Sequence, residues 1–396
     1  MYRIGEEEVE EVRKVLLSGH LFRVGEGVDG HLHEVDQFER EWVQVIGTSY
    51  ALCMAGGGTA ALICGLVGMG IGPGDEVIVP GYTWMATATA VLAVGAIPVI
   101  AEVDETLALD PEDVRRKITP NTHAIIPVHM VGRPANMQAL LDIAREHGLL
   151  VLEDCCQADG GSYGGKRLGS WGHAGAFSFN YFKIISCGEG GALVTNDRTL
   201  YERALVFHDG GAAFRPYAKE LGIPIFVGVQ LRADEVMGAI LRVQLRRLDG
   251  ILSDLRRICK RFEQELADVP GLRIAPNNDP EGDCGVVVAF QFHSEAQARA
   301  FASQTGGWLP IDSGKHVYSN WKPLLEKRIM HHPDMNPFNH PRNRGLRMDY
   351  RRDMCPRTLD ILARTVFISL HPDWSEEVVA QRIDRCRQAV KEAVAL

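Results

Sequence analysis

The sequence has no excess of positive charge: 42 Lys and Arg stand against 51 Asp and Glu, a formal net charge of −9. Its basic clusters, Arg246-Arg247, Arg256-Arg257 and Arg351-Arg352, are too short to track a nucleic-acid backbone and suit helix surfaces or small anions. No stretch approaches the roughly 18 uninterrupted apolar residues of a membrane span, and the Glu-rich start from Met1 to Lys14 has no cationic-then-apolar signal. The nine cysteines (53, 64, 155, 156, 187, 259, 284, 355 and 386) are odd in number and contain no CxxC pair, so they read as free thiols. Internal repeats and low-complexity tracts are also missing. These absences imply a soluble cytoplasmic protein that takes neither nucleic acid nor membrane as a partner.

What is present is an ordinary globular composition, 46% hydrophobic over 396 residues, enough for one large cored domain and a smaller second one. Residues 1–20 read as a helix with Val9, Val12, Leu16 and Leu17 on one face and Gly19 as its stop, and a second helix follows from Val35 to Ile46. Short apolar runs at Ala51–Met54, Glu76–Val79, Ile97–Val99, Ala124–Val128, Leu149–Glu153, Gly175–Phe179 and Gly191–Thr195 then alternate with helical stretches. Such alternation predicts an α/β domain with a mostly parallel sheet, mixed near its end where the last two runs follow closely. A long helix from Asp234 to Asp268, stopped by Pro270-Gly271, bridges to a smaller C-terminal α+β region, so the expected division is 1–250 and 251–396. Residues 211–229 and the proline- and histidine-rich stretch from Lys322 to Arg352 read as loops.

Lys183 follows the strand that ends in Phe177-Ser178-Phe179, with Phe182, Ile184 and Ile185 around it and the turn Gly188-Glu189-Gly190-Gly191 behind it. A desolvated amine is a Schiff-base nucleophile; the plain alternative is an exposed lysine after a strand. Asp154 ends another strand, where a carboxylate can pair with a pyridinium nitrogen or simply cap a helix. Lysine and aspartate in this order point to pyridoxal phosphate. Gly56-Gly57-Gly58-Thr59 opens a helix after a strand, the geometry of an anion site, although such a turn can be just a connection. It lacks the lysine of a nucleotide-binding P-loop, and no Gly-x-Gly-x-x-Gly follows the strand. Trp84 can stack on a flat ring or sit in the core. Ser178 points away from Phe177 and Phe179, toward a phosphate or a backbone partner. Gln157 can bond a ring oxygen. His129 either lines the site or is a core histidine, and His331, His332 and His340 lack the fixed spacing of a metal site.

Taken together, Gly57–Leu62, Thr83-Trp84, Glu153-Asp154 with Gln157, Phe-Ser-Phe with Lys183, and Gly188–Gly191 resemble the DegT/DnrJ/EryC1/StrS sugar aminotransferase family. The match runs in order over roughly residues 30–250. The resemblance implies an aspartate-aminotransferase-like (type I) fold, a homodimer with active sites at the interface, and pyridoxal 5'-phosphate as cofactor. It further implies Lys183 as Schiff-base lysine and general base, Asp154 as pyridinium partner, Trp84 as stacking residue, Gly58, Thr59 and Ser178 as phosphate ligands, and Gln157 on the ring oxygen. The implied reaction moves an amino group from glutamate or glutamine to a keto or aldehyde group of a sugar or cyclitol, free or nucleotide-linked, in amino-sugar or antibiotic biosynthesis.

Two departures stand out. Gln230, in Gly228-Val229-Gln230-Leu231-Arg232, replaces the asparagine that reaches the neighbouring subunit's phosphate in the family, and Gly56-Gly57 replaces a serine or asparagine. Val128-His129-Met130, Cys187–Gly191 and Asp279-Pro280-Glu281-Gly282-Asp283 look most similar to family members acting on an eight-carbon octulosonate sugar, and also resemble those that make aminated rings for antibiotics. A dehydratase or decarboxylase of the same fold and a non-catalytic cofactor-binding regulator are the alternatives. The family's dehydratases carry histidine where Lys183 stands.

Overall fold

In the computed structural model, which describes residues 2–393 and 395, α1 (Glu6–Ser18) and α2 (Glu34–Ile46) precede the first strand. Gly19 ends α1 in the left-handed region, at φ 75°. The buried face of α1 is not the predicted one: Glu8 and Val15 are buried, while Val9, Leu16 and Leu17 are exposed. The reason is a polar anchor. Glu8 takes hydrogen bonds from Arg247 (2.8 Å) and Gln244 (2.9 Å), and these contacts set the rotation of the helix against its neighbour. In α2 the predicted side is the buried one, with Phe38 and Trp42 fully covered.

All seven apolar runs form strands: β1 (Tyr50–Met54), β2 (Glu76–Pro80), β3 (Ile97–Ala101), β4 (Thr122–Ile125), β5 (Leu150–Asp154) and, after a hairpin of β6 (Ser162–Tyr163) and β7 (Lys166–Arg167), β8 (Ala174–Ser178) and β9 (Gly191–Thr195). They build one seven-stranded sheet in the order β1-β9-β8-β5-β4-β2-β3. Its pairs are parallel except at β9, which runs antiparallel to both β1 and β8 because a tight loop, not a helix, returns the chain from β8.

Helices α3 (Gly57–Gly68), α4 (Ala86–Ala93), α5 (Pro111–Lys117), α6 (Met137–His147) and α7 (Arg198–His208) cover the sheet, with α3, α4 and α7 on one face and α5 and α6 on the other. Strand alternation sorts the side chains accordingly. Val77 and Val79 pack with Leu62, Leu66 and Val91, whereas Ile78 packs with Val114, Leu140 and Ile143.

Helix α8 (Glu235–Leu266) runs for 32 residues from the N-cap Asp234, along α1 and α2, to the second region. Residue 250, the expected division, lies inside this unbroken helix. Near its start the buried Glu235 accepts the amides of Glu34 and Val35, capping α2 from a distant part of the chain. The C-terminal region has an antiparallel sheet of β10 (Arg273–Ile274), β11 (Val287–Gln291) and β12 (Thr365–Ser369), with α9 (Glu295–Thr305) packed on β12. Between α9 and β12 lie α10 (Lys322–Leu325) and α11 (Pro356–Ala363), with three proline-started turns between these two helices. Part of this segment returns to the large sheet: Tyr350 Oη donates to the Pro98 carbonyl at 2.7 Å, and Tyr318 and Trp321 join the Val77 cluster. His332 and His340 accept the amides of Asp334 and Arg342 as turn caps. Helix α12 (Glu376–Ala393) packs on α9 and α8. Among the described residues, no helix is long and apolar enough to cross a membrane.

Candidate active site

Because β2, β4, β5 and β8 are mutually parallel, their carboxyl ends reach the same edge of the sheet, where open α/β sheets hold ligands. A cavity of about 580 Å³ opens there, and Gly58, Thr59, Trp84, Asp154, Gln157, Ser178 and Lys183 all line it. Gln230 does not. It is exposed and pairs with Asp209 in an isolated antiparallel bridge.

The start of α3 forms one end of the cavity. The first amides of a helix have no carbonyl partner within it, so those of Gly58 and Thr59 face outward as donors. Gly57 stands at φ 68°, a conformation that favours glycine. At Gly58 a Cβ would meet Cys156 Sγ at 2.4 Å and Ser178 Cβ at 3.0 Å, so only glycine leaves the cradle open. The hydroxyls of Thr59 and Ser178 have no hydrogen-bond partner among the described residues. Phe177 and Phe179 explain the direction of Ser178: both are buried edge-on against Trp42, and alternation turns the serine to the cavity.

Asp154 ends β5 and is only 4% exposed. One carboxylate oxygen accepts the Thr87 hydroxyl at 2.8 Å and the other the Cys156 amide at 3.1 Å. The preceding Glu153 points to the opposite face of the strand and has a structural role. It accepts the amides of Gly169, Trp171 and Gly172, and His129 Nε2 lies 3.3 Å away. His129 Nδ1 accepts the Ala135 amide, so the ring is a bonded core histidine. His129, Glu153 and Cys155 are the one group of potential metal ligands among the described residues, and the histidine and the carboxylate are committed to these internal bonds. Gln157 Oε1 accepts the Val131 amide at 3.0 Å, which leaves its NH₂ as the free end. Val131, a cavity residue the sequence did not reveal, holds φ 49°, a strained conformation for a β-branched side chain.

Lys183 sits on a loop closed at its base. The Phe179 amide donates to Gly190 at 2.7 Å, Tyr181 to Gly188 at 2.9 Å and Cys187 to Phe179 at 3.0 Å. Gly191 is jammed against Gly57, where an added Cβ would lie 2.5 Å from the Gly57 carbonyl, so the lysine loop and the glycine turn are packed as one unit. The apolar surroundings are one-sided: Ile184 and Ile185 are buried, but Phe182 is 80% exposed, because the loop turns outward at that residue. Beneath the loop, burial raises the carboxyl pKa of Asp159 far above the usual range, with Lys183 opposing the shift.

The outer wall comes from residues that no local pattern announces. Trp308, Lys315, His316 and Ser369, together with Tyr2, face the strand ends. Burial, with Lys315 and Lys183 adding to it, lowers His316 to a pKa of about 4, so its ring is neutral near pH 7.

Known proteins match this chain at several levels. Residues 2–305 match the DegT/DnrJ/EryC1/StrS aminotransferase family. The chain is 40% identical over 252 residues to a dTDP-3-amino-3,4,6-trideoxy-alpha-D-glucose transaminase of Streptomyces venezuelae, a stretch that spans 62% of this chain and 65% of that relative. It is 32% identical over 400 residues to the spore coat polysaccharide biosynthesis protein SpsC of Bacillus subtilis, covering 98% of this chain and 96% of that one. The solved structure of DesV from S. venezuelae, in complex with a ketimine intermediate, superposes with a TM-score of 0.75 at 30% identity over 97% of this chain and 94% of that chain. With the family model covering most of its length and a relative aligned nearly end to end, this chain belongs to the DegT/DnrJ/EryC1/StrS aminotransferase family.

Proposed function

We propose that this protein is a pyridoxal 5'-phosphate-dependent aminotransferase that moves an amino group from glutamate or glutamine to a keto or aldehyde group of a sugar or cyclitol, in amino-sugar or antibiotic biosynthesis. The observation that carries the reading is one cavity at the strand ends where Lys183, Asp154, two unpartnered hydroxyls and the start of α3 converge. Its residues fit the cofactor. An open glycine cradle with free amides suits a phosphate, and a buried carboxylate held by Thr87 suits a protonated ring nitrogen.

When bound, the cofactor supplies an electron sink for the carbanion formed at the donor carbon. Gly58, Thr59 and Ser178 hold its phosphate. Asp154 keeps the ring nitrogen protonated, Trp84 stacks on the ring, and the free NH₂ of Gln157 donates to the ring oxygen. Lys183 moves the proton at the donor α-carbon and returns it on the acceptor half. The protein works as a homodimer: Phe182, Phe214 and Val227 are 80%, 91% and 93% exposed, apolar surface that a second copy covers. Gln230, exposed near Val227, reaches the partner's phosphate. The resemblance of Val128–Met130, Cys187–Gly191 and Asp279–Asp283 to octulosonate-type members is what favours an eight-carbon keto sugar as acceptor.

The test is the absorption spectrum of the purified protein, supplied with pyridoxal phosphate, before and after addition of L-glutamate. Loss of the visible band of the lysine-bound cofactor, with growth of the near-ultraviolet band of its amine form, is the expected result. A protein that never acquires the visible band overturns the reading.

A further inference from the structure

Gly314–His316 form a short turn that lies alongside Gly81–Met85. The Thr83 amide donates to the His316 carbonyl at 2.9 Å, the Met85 amide to the Lys315 carbonyl at 3.2 Å and the Tyr318 amide to the Gly81 carbonyl at 3.0 Å. Trp321 Nε1 also donates to the Lys315 carbonyl, at 2.9 Å. The backbone of Lys315 is therefore fixed beside Trp84 while its side chain carries no structural bond. Its ammonium lies 4.5 Å from the centre of the Trp84 ring, at the mouth of the cavity. Among the described residues, no carboxylate comes within ion-pairing distance of it.

The other charged groups of the cavity are accounted for. Asp154 is bonded to Thr87 and Cys156, Glu189 is exposed at the rim, and His316 is neutral near pH 7. Lys183 is the residue assigned to the chemistry. Among the described residues, Lys315 is thus the lining cation with no carboxylate partner and no assigned task. Lys315 is exposed, but its backbone bonds and the Trp84 face fix where its charge stands, beside Trp308, Val286 and Val287 in the same cavity, so a carboxylate entering there meets a placed ammonium.

We infer that Lys315 is the carboxylate-binding residue of this cavity, so that the enzyme selects substrates bearing a carboxylate. The inference rests on the transaminase reading for its consequence, not for its geometry. The carboxylate belongs to the amino-acid donor or to an acidic keto sugar, and both meet the same ammonium.

The experiment is calorimetric titration of the cofactor-loaded protein with L-glutamate, with succinate, which binds without reacting, and, on the amine-loaded protein, with a keto sugar acid beside a neutral keto sugar. Lys315→Gln should weaken the carboxylate ligand about ten- to a hundredfold. Lys315→Arg should restore most of the affinity, since it keeps the charge. Added salt should weaken binding to the unaltered protein and leave Lys315→Gln unchanged. Loss confined to glutamate and succinate assigns the carboxylate to the donor; loss confined to the sugar acid assigns it to the acceptor. Unchanged affinity for all of them in Lys315→Gln overturns the inference. Failure of glutamate to alter the spectrum of the unaltered protein strikes the transaminase reading instead, and the succinate titration still decides the role of Lys315.

Discussion

Thr87, the second residue of α4, donates its hydroxyl to the Asp154 carboxylate at the end of β5 across 2.8 Å, with both residues buried. The same hydroxyl lies 2.7 Å from Thr83 Oγ1, so the loop carrying Trp84 and the strand carrying Asp154 are held in one network. A carboxylate fixed from behind presents its remaining acceptor capacity to the cavity.

Asp154→Asn keeps the shape of this network but removes the charge that favours a protonated ring nitrogen. Turnover should fall by about a hundredfold or more with the fold intact by circular dichroism. Thr87→Val should cost about tenfold, because it frees the carboxylate without neutralising it. Steady-state rates of both variants, each saturated with cofactor, check the order; near-normal turnover in Asp154→Asn would remove the proposed role of that carboxylate.

Gly58→Ala places a methyl group between Cys156 Sγ and Ser178 Cβ, where the phosphate belongs. Cofactor affinity should drop at least about tenfold, and the clash with Cys156 Sγ should lower the melting temperature of the cofactor-free protein as well. Cys156→Ala added to Gly58→Ala should recover part of the loss. Cofactor titration followed by fluorescence reads both.

Glu153 differs from its neighbour Asp154 in what its loss would do. Three amides and His129 converge on a carboxylate that is fully buried. Glu153→Ala leaves these donors without a partner and should destabilise the fold by about 3 kcal/mol or more. Urea unfolding measures it, and a loss below about 1 kcal/mol would contradict the structural role.

His208 is 1% exposed, its Nε2 has no hydrogen-bond partner among the described residues, and burial lowers its pKa from 6.5 to about 3. In that window the unfolded chain binds a proton that the folded one refuses, so stability rises with pH. The contribution is complete above about pH 6.5 and is lost as the pH falls toward 3. Between pH 6.5 and 5 the loss should approach about 2 kcal/mol for this histidine. His208→Asn should flatten the slope of unfolding free energy against pH over the same range; an unchanged slope would show that other groups govern it.

Sequence alone determined the seven strands of the large sheet and pointed to Gly58, Thr59, Trp84, Asp154, Gln157, Ser178 and Lys183, which line one cavity. These were legible because each follows one strand of an α/β array, and a parallel sheet carries every such connection to the same edge. Periodicity also turned Ser178 correctly, since Phe177 and Phe179 belong to the core. Tertiary structure decided the rest. It rotated α1 onto Glu8 and Val15, left Phe182 in the open, and kept Gln230 out of the cavity. It also brought Lys315 to Trp84, 231 positions earlier in the chain, through backbone bonds between two loops. Contacts of that kind depend on how far-separated segments pack, and local pattern carries no information about which distant segment will be the neighbour.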